Sequence, residues 1–165
     1  MLRAALIALA ALSAVPSAVL AAGPSQAASH RSGPLEVRDA WSRPAVSGFN
    51  GVGYMTLVNH GRRAERLVGA RSPIARAVEP HRSEVAANGV ASMTPAPRIE
   101  IPPGGSVTFA PGGFHLMLMG LTKTLKPGDR APVTLTFADG RSLAVNLQVT
   151  AGGPPVGRSD APGRR

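Results

Sequence analysis

Glycine and proline interrupt this chain so often that no long helix can run through it. Of its 165 residues, 19 are glycine and 16 are proline, and both break helical hydrogen bonding or favour turns. The stretches between them are short and rich in β-branched and apolar residues, the pattern of strands joined by tight connections. Strands are expected at Leu35–Trp41, Val52–Val58, Glu65–Ala70, Ala75–Ser83, Ser106–Phe109, Phe114–Met119, Val133–Phe137 and Ser142–Val149. Turn signals separate them: Asn59-His60-Gly61, Pro102-Pro103-Gly104-Gly105, Pro111-Gly112-Gly113 and Asp139-Gly140. Asn88-Gly89 is a strong hairpin dipeptide. Many short strands at this spacing predict an all-β domain, a β-sandwich or a small Greek-key barrel.

The two ends read differently from the body. Arg3 precedes the apolar run Ala4–Val15, broken only by Ser13, and Pro16 with small residues follows. Residues 1–28 therefore read as a secretory signal peptide, with cleavage between 21 and 28. The apolar run is shorter than the ~20 residues a membrane span needs, so no stable membrane insertion is expected after cleavage. Residues 29–34 are expected to be a flexible leader and 35–149 the β domain. From Thr150 the chain is mostly Gly, Pro and Arg, so residues 150–165 are expected to be a disordered basic tail.

Composition removes several function classes. Cysteine is absent, which excludes disulfides, thiolate metal sites, cysteine nucleophiles and blue-copper electron carriers. The formal charge is +9, yet the arginines are scattered and only 4% of residues are aromatic. No basic run is interleaved with stacking rings, so nucleic-acid binding is not expected. A solvated basic surface, or one facing an acidic protein partner, accounts for the charge. No Ser/His/Asp arrangement or recognisable pair of acid/base carboxylates can be assembled, so the chain is not expected to be an enzyme.

Phe114-His115-Leu116-Met117-Leu118-Met119 is the stretch that points to chemistry. On a strand, Phe114, Leu116 and Leu118 share one face and fill the core, leaving His115, Met117 and Met119 on the other. His115 and Met117 then lie about 6.5–7 Å apart along the backbone, within reach of one metal ion through flexible side chains. A lone His-x-Met is more often packing plus a surface histidine. His81 and Met93 change that weighting, because a turn at Asn88-Gly89 would bring their segments together. The full pattern is His81, eleven residues, Met93, twenty-one residues, His115, one residue, Met117. Two imidazoles and two neutral, polarizable thioethers suit a soft ion such as Cu(I), and argue against Zn, Mg or Ca. Met55 and Trp41 read as core and Met119 as packing. His60 reads as a turn histidine, and His30 as a leader residue able at most to touch Cu(II). Glu79, Glu84 and Asp39 read as surface groups or as groups supporting a metal ligand from behind.

This spacing, with Asp39-Ala40-Trp41, Gly53-Tyr54-Met55-Thr56-Leu57, Asn59-His60-Gly61 and Gly113 through Leu121, resembles the periplasmic copper chaperone family PCu(A)C from Leu35 to Val149. The family motif has an optional methionine directly after the first histidine, where this chain has Arg82. The tail also lacks the Met/His-rich extension of some relatives. The resemblance implies a cupredoxin-like β-barrel in the periplasm that binds one Cu(I) through His81, Met93, His115 and Met117. It further implies delivery to the binuclear copper centre of cytochrome c oxidase subunit II, directly or through a Sco-type protein. The alternative reading is a secreted β-sandwich serving as a metal-free binding or adhesion module, with the methionine strand as its interface.

Overall fold

Alternation of apolar and polar side chains builds the architecture strand by strand. In Ser142–Val149, Leu143, Val145, Leu147 and Val149 are buried and the residues between them are exposed. Such a period of two leaves one face in the core and one in water. The computed structural model describes residues 30–154 apart from Asn88. Along them run β1 (His30–Ser32), β2 (Leu35–Ser42), β3 (Gly51–Asn59), β4 (Glu65–Arg71), β5 (Ala75–Val85) and β6 (Ala91–Pro95). β7 (Ile99–Ile101), β8 (Ser106–Phe109), β9 (Phe114–Leu121), β10 (Arg130–Phe137) and β11 (Ser142–Val149) complete the order. Among the described residues there is no helix.

The strands follow one another as β5-β9-β8-β3-β2-β11-β10-β4, and a β4–β5 pairing between Ala70 and Val78 closes the ring. The result is a closed eight-stranded barrel with the cupredoxin-like topology, to which β1, β6 and β7 each add along one side. Pairings are antiparallel except β2–β11 and β8–β9. Leu35, Leu57, Leu67, Ile101, Leu116, Leu118, Leu135 and Leu147 are fully enclosed at its centre. Gly53 is required by close approach: a Cβ there would stand 2.7 Å from Leu147 Cδ1 and 3.4 Å from Leu116 Cβ. The glycine thus makes room for the Leu147 side chain of β11 in the core beneath β3, where β3 pairs with β9.

One expectation needs correction and another is resolved. Residues 30–32, expected within a flexible leader, form β1 and pair with Leu35–Val37. Gly33, with φ of 58°, followed by Pro34 places the positive φ at the first central position of a two-residue turn, the arrangement of a II′ hairpin. His30 is thereby fixed beside β11, its Nε2 accepting from the Asn146 amide at 3.4 Å. His60, expected to be structural or merely exposed, takes the structural role, bonded to a buried carboxylate. The carboxylate of Glu36, 3% exposed, accepts from Arg38 at 2.9 Å, Arg31 at 3.1 Å and His60 Nε2 at 2.7 Å. The signal-peptide region and residues 155–165 lie outside the described residues.

The Glu36 cluster makes a prediction about acid stability. The Arg38 hydrogen bond, followed by that of His60, holds the Glu36 carboxyl at about 2 rather than the ordinary 4.5, against the opposing effect of burial. A carboxylate with a depressed folded-state pKa stabilises the fold above its unfolded value and loses that contribution as pH falls through the folded one. Acid unfolding should therefore consume about 1–3 kcal/mol from this group, discounted because its cationic partners are half exposed. The loss should fall between about pH 4.5 and pH 2. Stability of metal-free Glu36→Gln, measured by denaturant titration across that window, should depend less on pH than the parent's; an unchanged slope would refute this account.

Candidate metal centre

The register of three adjacent strands gathers the four residues on one face of the barrel. In the β5–β9 ladder His81 lies directly opposite His115 and Glu79 opposite Met117. In β5–β6 Ser83 lies opposite Met93 and His81 opposite Pro95. Directly opposed residues in a ladder project to the same side, so His81, His115 and Met117 share a face. Met93 reaches it from β6, one diagonal step from His81. The loop joining β5 to β6 is closed by Ala86 N–H donating to Val90 O at 2.9 Å and Gly89 N–H donating to Ala86 O at 2.8 Å. Gly89, with φ of 80°, supplies the left-handed residue this connection needs.

The two imidazoles are prepared in the same way. His115 Nδ1 lies 3.1 Å from Gly113 O and His81 Nδ1 lies 3.3 Å from Glu79 O. A carbonyl oxygen only accepts, so in the neutral ring each Nδ1 carries the hydrogen and Nε2 the lone pair. A backbone carbonyl fixing one ring nitrogen so that the other is free for a metal is the usual support of a ligating histidine. The rings face one another with centroids 6.0 Å apart and planes 29° from parallel.

Beside them lies a cleft of about 330 Å³ that takes in His115, Met117 and Met93, together with Arg43, Tyr54 and Ser83. His81 is not on its wall; it stands at the edge, half-buried, against His115. The burials differ from those expected. Leu116 and Leu118 are enclosed as predicted, but His115 is only 4% exposed, not a surface histidine. The segment from Arg43 to Asn50 runs beside the end of β9, bonded to it through Gly48 N–H to Leu121 O and Leu121 N–H to Phe49 O. Its Arg43, Pro44, Ala45 and Asn50 share the cleft with His115, which periodicity along β9 alone does not reveal. Met117 and Met119 are half-buried, while Met93 is 51% exposed. Met55 is core, as expected.

Tyr54 and Arg43 were not anticipated as neighbours of the site. Trp41 and Tyr54 oppose each other in β2–β3 and stack with centroids 4.7 Å apart. The Arg43 guanidinium lies over both rings. Trp41 is buried, as expected of a lone tryptophan, but it backs Tyr54, which reaches the cleft. The signal in the sequence was Trp41-x-Arg43 at the end of a strand facing Gly53-Tyr54. Arg82, in the slot of the optional methionine, turns away from metal chemistry: it pairs with Glu84 at 2.9 Å and lies over the Phe114 ring.

A family model described as "Putative lipoprotein LpqE-like" matches residues 35–149. The chain is 36% identical over 116 residues to "Putative lipoprotein Lxx21020" of Leifsonia xyli subsp. xyli, spanning 70% of this chain and 69% of that protein. Among solved structures it is similar to the copper-bound PCuAC domain from PmoF2, with 29% identity and a TM-score of 0.63 over 75% of this chain and 98% of that one. It is also similar to the Cu(I) form of DR1885 from Deinococcus radiodurans, with 32% identity and a TM-score of 0.52 over 68% of this chain and 77% of that one. The chain is a member of the LpqE-like family, of PCuAC type.

Proposed function

We propose that this protein is an exported copper chaperone that binds one Cu(I) through His81, Met93, His115 and Met117 and passes it to a protein recipient. The observation that carries the reading is the facing pair of histidines, each with Nδ1–H tied to a carbonyl and Nε2 free, beside a cleft lined by two methionines. Copper-bound forms of two similar domains support it. PCuAC proteins carry copper and are not enzymes, in keeping with a site that has no acid/base pair. The lipoprotein naming of the family and of its Leifsonia relative supports export, as does the signal-like segment 1–28.

Two imidazoles and two thioethers give a neutral donor set, so a monovalent ion keeps its charge low and is held by soft sulfur. Half-exposed Met93, on a hairpin at the rim, is the donor from which exchange with a recipient begins, because its sulfur can be displaced without opening the core. His115 and Met117, on a central barrel strand, hold the ion meanwhile. The recipient that suits this role is the binuclear copper centre of cytochrome c oxidase subunit II, reached directly or through a Sco-type protein. The test is copper stoichiometry after anaerobic loading, with X-ray absorption of the loaded protein. One copper with mixed N and S neighbours is expected; a shell of O and N alone would overturn the site.

A further inference from the structure

Arg43 is placed unlike the other cations near the cleft. Its guanidinium carbon lies 5.8 Å from the Tyr54 ring centroid and 6.0 Å from that of Trp41. Both rings are 6% exposed. Stacking on two buried rings holds the planar cation in place without neutralising it. Among the described residues no carboxylate pairs with it, whereas Arg82 is paired with Glu84. Glu79 opposes Met117 in the ladder but is not among the residues lining the cleft. The wall shared by His115, Met117 and Met93 thus carries one full, unpaired positive charge.

We propose that Arg43 acts as a charge filter, making the cleft discriminate against divalent copper in favour of monovalent copper. The proposal rests on the copper-carrier reading and adds to it a selectivity separate from the choice of ligand atoms. Thioethers favour Cu(I) by softness; Arg43 favours it by repulsion, which doubles when the ion carries two charges instead of one. Arg43 is exposed but lines the same cleft of about 330 Å³ as His115, Met117 and Met93, so the effect is felt at the site and weakens as salt screens it. For scale, one unit of extra charge about 10 Å away at an effective dielectric of about 20 corresponds to roughly tenfold in affinity before salt screening.

The experiment compares the parent protein with Arg43→Gln and Arg43→Lys. Affinities for Cu(I), under anaerobic chelator competition, and for Cu(II) are measured for each at low and high salt, with the reduction potential of the bound copper. Circular dichroism checks that each variant is folded. Arg43→Gln is expected to raise the Cu(II)-to-Cu(I) affinity ratio on the order of tenfold, to lower the reduction potential, and to do so less at high salt. Arg43→Lys, which keeps the charge and can still lie over the rings, should keep the parent ratio. A ratio unmoved by Arg43→Gln, or moved equally by Arg43→Lys, would overturn the charge filter while leaving the carrier reading intact. A parent protein that binds no copper would overturn both.

Discussion

Changing Met93 and Met117 together to leucine is expected to leave the barrel folded and to weaken Cu(I) binding on the order of 10³-fold, several kcal/mol of binding free energy. The structural cost is small for physical reasons. Met93 is 51% exposed and Met117 is half-buried at the cleft, so neither side chain is a keystone of the core. Leucine for methionine roughly conserves volume, and such swaps usually cost under about 1.5 kcal/mol. The chemical cost is large because both soft sulfur donors disappear, leaving only the two imidazoles. Zinc, held mainly by the histidines, should be weak in the parent and nearly unaffected in the variant. Chelator competition for both metals, alongside thermal unfolding of the metal-free proteins, separates the outcomes. Loss of folding with Cu(I) affinity retained in the folded fraction would make the methionines core residues and not ligands.

The strands that the sequence located most closely are those whose ends carry their own punctuation. Ser106–Phe109 and Ser142–Val149 have the expected bounds because Pro-Gly-Gly and Asp-Gly turns flank them. The missed strands have turn residues beside them but are too short or too exposed to show an alternation. β1 is three residues long and exists through the Gly33-Pro34 turn. β7 is Ile-Glu-Ile, too short for an alternation to register. β6 is exposed at all five positions, so no apolar pattern marks it and only pairing with β5 makes it a strand. The site shows the same division. The spacing of His81, Met93, His115 and Met117 names the candidate donors, and the hairpin between β5 and β6 brings their segments together as the turn dipeptide implied. Burial of His115 and the approach of Arg43 and Tyr54 depend on how β3 and the segment Arg43–Asn50 lie beside β9. That is a non-local contact which leaves no periodic trace in either segment.

Protons should compete with copper at this site, and only at half of its donors. Thioethers do not take up a proton in water, whereas an imidazole must be neutral to offer its Nε2 lone pair. His81 and His115 both present that nitrogen, because Nδ1–H is committed to the carbonyls of Glu79 and Gly113. Cu(I) affinity should therefore be flat in alkaline solution and fall in acid, approaching two protons released per copper bound, or about a hundredfold loss per pH unit in the acid limit. The sign follows from linkage: copper binds only the deprotonated rings, so lowering pH favours the metal-free protein, and the stability that copper lends the fold is lost with it. Replacing either histidine by methionine should halve the limiting slope even where some affinity survives, since a thioether in that place has nothing to titrate. Chelator competition at intervals between about pH 4 and pH 8, the range in which imidazoles ordinarily change charge, measures the slope. An affinity independent of pH across that range would exclude coordination by both histidines, and a limiting slope of one proton would leave only one of them as a ligand.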